Sequence, residues 1–119
     1  MSWSAAVYTC LGAAEALAEQ RIEAEVIDLR SLWPWDKAAV LASVERTGRL
    51  LVAHEAVRVG GFGAEVAATV AERAHGQLKC AVRRLGAPRA PIGYAPNLED
   101  QVRVTAEQIV AAARAMLGL

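Results

Sequence analysis

The stretch that decides the fold runs Leu50-Leu51-Val52-Ala53-His54-Glu55 and continues, after a short loop, as Gly60-Gly61-Phe62-Gly63-Ala64-Glu65. An apolar run, a polar pair, a glycine turn and an alanine-rich helical pattern follow in that order, which predicts a strand, a loop and a helix. In a parallel sheet such a junction lies at the carboxyl end of a strand, where open α/β folds place their ligand sites. The segment therefore indicates an α/β fold with a candidate functional edge.

The chain on either side of this stretch alternates helices with strands. Helical periodicity covers about residues 5–19, 37–46 and 63–75, and a capping box at Thr105-Ala106-Glu107-Gln108 opens a last helix. Apolar strand patterns cover residues 24–29, 50–54 and 80–85, and a proline-rich surface crossing follows over residues 86–98. The order predicts a three-layer α/β/α fold with a mainly parallel sheet.

Local signals fix several boundaries of these elements. Ser4 and Asp36 are expected to cap the first two helices, and Gly48 is expected to end the second helix. Consecutive Arg83 and Arg84 charge both faces of the last strand, which favours a position at the sheet edge. Three strands are too few to cover four helices, so a further strand is expected immediately before Ser4.

Composition narrows the class of protein. The chain has 119 residues, enough for one domain, and 55% of them are hydrophobic while only 5% are aromatic. Lys+Arg and Asp+Glu both number 13, which gives no basic footprint for nucleic acid or an anionic membrane. Cys10 and Cys80 stand apart from each other, as expected for reduced thiols in a cytoplasmic protein.

Several short motifs together resemble one family. They are Glu25-Val26-Ile27-Asp28-Leu29-Arg30-Ser31-Leu32 with Pro34 and Asp36, Ser43-Val44 with Thr47-Gly48-Arg49-Leu50, His54-Glu55-Ala56, Gly60-Gly61-Phe62-Gly63-Ala64-Glu65, and Pro91 with Tyr94-Ala95-Pro96 and Leu98-Glu99. In this order they resemble the C-terminal transketolase-type domain of the beta subunit of thiamine-diphosphate-dependent 2-oxoacid dehydrogenases (pyruvate, branched-chain or acetoin type). The resemblance covers about residues 4–116.

The resemblance carries expectations about the chemistry. In the family an apolar strand precedes the first helix, so residues 2–4 resemble the tail of a truncated central strand. Thiamine diphosphate and magnesium in the complete enzyme contact other domains, so the resemblance implies no catalytic, cofactor or metal residue here and an inactive isolated chain. The implied role is architectural, in subunit assembly and in docking to the acyltransferase core. The implied partners are the alpha subunit, a second beta subunit and the subunit-binding domain of that core.

Each candidate residue at the junction has two interpretations. Residues 60–63 resemble an anion cradle at a helix start, but their spacing matches no phosphate-binding motif, so a tight packing turn is favoured. His54 and Glu55 lie where a catalytic base would be placed, yet no nucleophile accompanies them, so a structural hydrogen bond or a subunit contact is favoured. Arg58 is positioned to pair with Glu55.

The remaining candidates are two tryptophans and an acidic pair. Trp33 and Trp35 flank Pro34 and either anchor an interface or cover the end of the core. Glu99 and Asp100 either receive a basic partner domain, as the resemblance implies, or are solvated loop charges. These residues, with His54, Glu55 and Arg58, form the predicted subunit interface.

One alternative function belongs to a different class. A free-standing binding module would hold an anionic ligand at the Gly60–Gly63 helix start, helped by Arg83 and Arg84. Whichever function holds, the isolated chain is predicted to be weakly stable or to self-associate, because the missing central strand leaves ladder groups unpaired.

Overall fold

The computed structural model describes residues 1–119 as two pairs of helices on opposite faces of a short parallel sheet. The elements are α1 (Ala6–Ala18), α2 (Lys37–Thr47), β1 (Leu51–Val57), α3 (Gly63–Ala74), β2 (Arg83–Ala87), α4 (Pro96–Asp100) and α5 (Ala106–Leu117). A 3-10 turn, His75–Gln77, follows α3. No helix combines the length and the apolar character needed to cross a membrane.

The two faces of β1 carry separate cores. Val52 faces α2 and α3 and packs with Val40, Val44 and Val66, all of them fully buried. Ala53 faces the other way, toward Cys10 and Ala13 of α1 and Ile109 of α5. Alternation of side chains along one strand therefore produces the three predicted layers.

The regular sheet contains only β1 and β2. They pair in parallel with Leu51 opposite Arg83 and Val57 opposite Ala87, and the register is irregular between Ala53 and Val57. β2 begins three residues later than predicted, yet it lies at the edge, as the paired arginines indicated. An exposed charge on an edge strand discourages pairing with other chains.

The predicted strand over residues 24–29 is wrong as a regular strand. It forms one isolated parallel bridge, between Asp28 and Ser2. Ser2 N–H donates to the Ile27 carbonyl at 2.9 Å, and the Ser2 carbonyl accepts from Leu29 N–H at 3.0 Å. Within residues 1–119, Met1 and Ser2 are the residues that lie beside this segment, and they form one bridge and not a continuous ladder.

Met1 and Ser2 lie in the middle of the sheet. On the side of β1, the Met1 carbonyl accepts from Ala53 N–H at 3.1 Å and the Met1 amino group donates to the Leu51 carbonyl at 3.0 Å. The Ser2 hydroxyl donates to the Ala53 carbonyl at 2.7 Å. These two residues therefore bridge β1 to the extended segment that ends at Leu29.

A cavity continues the line of Met1 between β1 and residues 23–27. It has a volume of about 270 Å³ and is lined mainly by apolar side chains from α1, α5 and both flanking segments. The Ile27 N–H and the Glu25 carbonyl, one rung beyond Ser2, have no hydrogen-bond partner. We call this space the strand slot, because its walls present the polar groups that a strand would pair.

Three of the predicted helix caps and ends are confirmed, and one predicted cap is wrong. The Asp36 carboxylate accepts from Ala39 N–H at 2.9 Å, Gly48 adopts φ 70°, and the capping box of α5 is complete. Ser4, in contrast, has φ 57° and makes no cap, because the chain turns there out of the sheet into α1.

Candidate functional site

His54 lies in the middle of β1, not at its tip as predicted. The strand extends to Val57, so the side chain of His54 points into the protein and is fully buried. Trp3 stacks on the imidazole with ring centroids 4.9 Å apart and an interplanar angle of 18°. The edge of Phe62 meets Trp3 at 5.8 Å, which closes that side of the site.

The hydrogen bond of His54 determines its tautomer. Nδ1 lies 2.9 Å from the Ala56 carbonyl, which can only accept, so Nδ1 carries the proton. Nε2 is buried and has no partner. Burial lowers the pKa of His54, and the positive charge of Arg84 lowers it further, against the opposing effect of the Ala56 hydrogen bond.

Three glycines enclose the imidazole of His54. A Cβ on Gly63 would lie 2.5 Å from Nε2, and one on Gly86 would lie 2.8 Å from Cε1. A Cβ on Gly61 would clash with the Val57 carbonyl and reach 3.0 Å from Cε1. We call Gly61, Gly63 and Gly86 the glycine cage, since each lets the backbone approach the ring directly.

The glycine cage determines what His54 can do. Its free nitrogen faces the backbone of α3 and its ring face is covered by Trp3, so no reacting atom can reach it. The turn at residues 60–63 therefore packs helix against sheet, in agreement with the favoured interpretation. Gly86 was missed in the sequence, although a glycine inside a strand commonly marks such a close approach.

Glu55 and Arg58 do not form the predicted ion pair. Both are exposed, and neither takes part in an ion pair within 4.0 Å. The Arg58 carbonyl instead accepts from Nη1 of Arg84 at 3.0 Å, while Arg58 N–H donates to the Ala87 carbonyl at 2.9 Å. The end of β1 is thus tied to β2 by one main-chain bond and one bond from an arginine side chain.

Of the two tryptophans, Trp35 covers the core and Trp33 is exposed to solvent. Trp35 is only 5% exposed and belongs to the core, where Phe62 meets it edge-on at 6.2 Å. Trp33 is 80% exposed. The side chains of Trp35 and His54 are buried within this chain, so the exposed part of the predicted interface lies at its other members. Trp33 remains a candidate anchor.

The acidic pair lies on a short helix and not in a loop. Glu99 and Asp100 end α4, and the Glu99 carboxylate pairs with Arg103 at 2.5 Å. The same contact raises the pKa of the Arg103 guanidinium. Asp100 is exposed, so one carboxylate of the pair is already neutralised within the chain.

A second cleft, which the sequence did not predict, lies at the carboxyl ends of β1 and β2. It has a volume of about 650 Å³, and Arg58, Arg84 and Arg89 line it together with Gln108 of α5. No acidic side chain lines it, and none of the three arginines makes an ion pair. We call this surface the arginine cleft.

Comparison with known proteins identifies the family of this chain. The model of the transketolase C-terminal domain matches residues 1–109. The chain belongs to the transketolase C-terminal domain family. The fold predicted from the motifs is confirmed, and so is the resemblance to beta subunits of 2-oxoacid dehydrogenases.

Similar proteins come from bacteria and plants. The chain is 44% identical to the beta subunit of acetoin:2,6-dichlorophenolindophenol oxidoreductase of Cupriavidus necator over 91% of its own length and 32% of that protein. It is 42% identical to the mitochondrial pyruvate dehydrogenase E1 component subunit beta of Pisum sativum, over 95% of the chain and 32% of that protein. The 2-oxoisovalerate dehydrogenase subunit beta of Pseudomonas aeruginosa is 40% identical over 80% of the chain and 26% of that protein.

A solved structure shares the fold. A split-gene transketolase, described as an inactive beta4 tetramer, superimposes with a TM-score of 0.85 at 28% identity, over 99% of this transketolase C-terminal domain and 38% of that chain. This domain spans about a quarter to a third of the length of the curated relatives named above.

The residues of this domain do not suit magnesium-bound thiamine diphosphate. Magnesium prefers carboxylate, carbonyl and water oxygens, and no group of three His, Cys, Asp or Glu side chains is placed to hold a metal ion. The helix start that could receive a phosphate is packed against His54.

Proposed function

We propose that this domain is the non-catalytic C-terminal part of a 2-oxoacid dehydrogenase beta subunit. The observation that carries the proposal is its similarity, along 91–95% of its length, to the beta subunits of acetoin and pyruvate enzymes. In the complete enzyme, thiamine diphosphate and magnesium would be held by other domains, and the substrate would be a 2-oxo acid or a related compound. The proposed location is the cytoplasm.

The packing of His54 supports an architectural role. The only histidine near the carboxyl edge is held neutral, fully buried and stacked on Trp3, which makes it part of the core. The other histidine, His75, is exposed at the end of α3. The candidate edge therefore supplies a rigid surface and not an acid–base pair.

The proposed interface uses the exposed members of the predicted set. Trp33 presents a large exposed aromatic surface, and Glu55, Arg58 and Asp100 are exposed charged residues elsewhere on the chain. Aromatic anchors and polar residues are both typical of subunit contacts. The alpha subunit and a second beta subunit are the proposed partners for Trp33. The subunit-binding domain of the acyltransferase core is the proposed partner for the acidic end of α4.

A chimeric enzyme tests this proposal. The last third of the Cupriavidus necator beta subunit would be replaced by this domain, and the product coexpressed with its alpha subunit. We expect a sedimenting complex of the native size that reduces 2,6-dichlorophenolindophenol with acetoin. Failure of the correctly folded chimera to assemble would contradict the architectural role.

Two matched variants locate the interface within the chimera. Trp33→Ala is expected to weaken assembly, because it removes an 80% exposed aromatic anchor. Tyr8→Ala is the control, since Tyr8 is 78% exposed but lies outside the predicted set. Equal effects of the two variants on the sedimentation profile would remove Trp33 from the interface.

A further inference from the structure

The arginine cleft, which shares Arg58 with the proposed interface, points to a partner that the proposed function does not include. Its three arginines come from separate places: Arg58 follows β1, Arg84 lies within β2, and Arg89 follows β2. The chain as a whole has no net charge, so this local excess of positive charge is a property of the fold and not of composition. Such a cleft concentrates anions near its surface.

The arginines of the cleft are not neutralised within the chain. The three ion pairs of the protein involve Arg30, Arg46 and Arg103, none of which lines the cleft. Arg84 donates one hydrogen bond to the Arg58 carbonyl, which fixes its guanidinium beside the loop that follows β1. The other N–H groups of Arg84 remain available to a ligand. Fixed guanidinium groups lose little conformational entropy when they bind a carboxylate in bidentate geometry.

The rest of the lining indicates what kind of anion fits. Leu85, Val104 and Ala111 provide an apolar floor, and Nε2 of Gln108, whose Oε1 already accepts from Thr105 N–H, adds a donor that suits a peptide carbonyl. A helix start with free backbone N–H groups is a ready-made phosphate site. Here the first turn of α5 is capped by Thr105, and the start of α3 packs on His54.

We propose that the arginine cleft docks an acidic segment of a partner polypeptide, with Asp or Glu side chains on Arg58, Arg84 and Arg89 and apolar side chains on the floor. This inference does not depend on the proposed function. The cleft is opposite in sign to the acidic end of α4, so the two surfaces would select different partners.

Binding of a defined peptide to the 119-residue chain tests the inference. The probe is a fluorescein-labelled peptide of alternating Glu and Ala, and its counterpart has Gln in place of Glu. We expect saturable binding of the Glu peptide that weakens as salt is raised, and at least about ten-fold weaker binding of the Gln peptide. Equal affinity for the two peptides would overturn the inference.

Charge-reversal variants assign the binding to the cleft. The triple variant R58E/R84E/R89E is expected to reduce affinity for the Glu peptide by at least about ten-fold. Arg73→Glu is the control, because Arg73 is exposed on α3, makes no ion pair and lies outside the cleft. An equal loss in both proteins, with unchanged circular dichroism, would contradict a specific site.

Two competing occupants have distinct signatures. Pyrophosphate that displaces the Glu peptide at equal or lower concentration would show that the cleft is built for a small phosphoryl anion, and would overturn the peptide assignment. Self-association at low salt that the triple variant abolishes, without displacement by the Glu peptide, would assign the cleft to a second copy of this chain and would also overturn it.

Discussion

The first and middle parts of β1 border two regions of opposite character. Beside Leu51 lies the strand slot, a cavity of about 270 Å³ with unpaired main-chain groups on its far wall. Around His54, three glycines bring the backbone so close that no Cβ would fit. The strand slot has room for additional side chains, whereas the glycine cage has none. Adding similar volume to the two regions should therefore have opposite effects on stability.

The largest expected effect comes from filling the strand slot. A four-residue extension, Val-Thr-Val-Val, fused before Met1 should pair with Ile27 N–H and the Glu25 carbonyl and replace a buried amino group by a peptide bond. We expect the free energy of unfolding to rise by about 3 kcal/mol, from the burial of one or two apolar side chains.

Urea unfolding measures this gain, and a Gly-Ser-Gly-Ser extension is the control. That control adds the same length of backbone without apolar side chains. If the two extensions change the midpoint equally, the slot does not accept a strand and its cavity has no role in the marginal stability predicted for the chain.

The second effect comes from adding a methyl group to the glycine cage. Gly63→Ala should lower the free energy of unfolding by about 2 kcal/mol, since the new Cβ would lie 2.5 Å from Nε2 of His54. Gly12→Ala, in α1, has nothing within 4 Å and should instead stabilise the protein by about 0.5–1 kcal/mol. Thermal melts should show a lower melting temperature for Gly63→Ala and a higher one for Gly12→Ala. Shifts in the same direction would contradict the close packing of the glycine cage.

The third effect is a dependence of stability on pH. The pKa of His54 is lowered in the folded protein relative to the unfolded value of about 6.5. Below that pH the unfolded chain therefore binds a proton at His54 that the folded chain does not bind. The contribution of His54 to stability is therefore complete above that pH and falls as pH decreases toward the folded pKa. The melting temperature between pH 7.5 and 5.5 measures it.

The control for the pH dependence is His54→Gln, which keeps a polar side chain but cannot titrate. Its melting temperature should be lower at pH 7.5 and should change less between pH 7.5 and 5.5. A slope identical to that of the unmodified protein would assign the pH dependence to another group.

The smallest effect concerns the wall of the strand slot. Glu25 accepts from the Ser43 hydroxyl at 2.7 Å and pairs with Arg46 at 2.6 Å, so it ties the far wall to α2. Both ionic side chains are largely exposed, and Glu25→Gln should cost only about 0.5 kcal/mol. Glu23→Gln, on the same segment without an ion pair, should leave the urea midpoint unchanged. An equal loss of stability in the two variants would show that the contacts of Glu25 with α2 do not stabilise the fold.

Local signals in the sequence correctly predicted three of the helix caps and ends, which depend on residues that are neighbours along the chain. Asp36, Gly48 and the capping box of α5 were correctly interpreted, because each acts within one helical turn. The place of β2 at the edge also followed from its own two arginines. The family motifs then gave the overall fold, which the family match confirms.

The errors fall where a distant segment decides the outcome. Residues 24–29 have strand periodicity but only Met1 and Ser2 beside them, so the ladder does not form. His54 is interior because β1 runs on to Val57 alongside β2. The arginine cleft collects residues from two strand ends and α5, and no linear spacing could show that Arg58 and Arg89 share a surface with Gln108.

The position of Ser2 has a consequence for synthesis on the ribosome. Its hydroxyl binds the Ala53 carbonyl, and the amino group of Met1 binds the Leu51 carbonyl, separations of 51 and 50 residues along the chain. On its β1 side, the middle of the sheet therefore remains unpaired while those fifty residues are still being made. Helices such as α1 can form during that interval from local bonds, but the sheet that holds them waits for β1 to emerge.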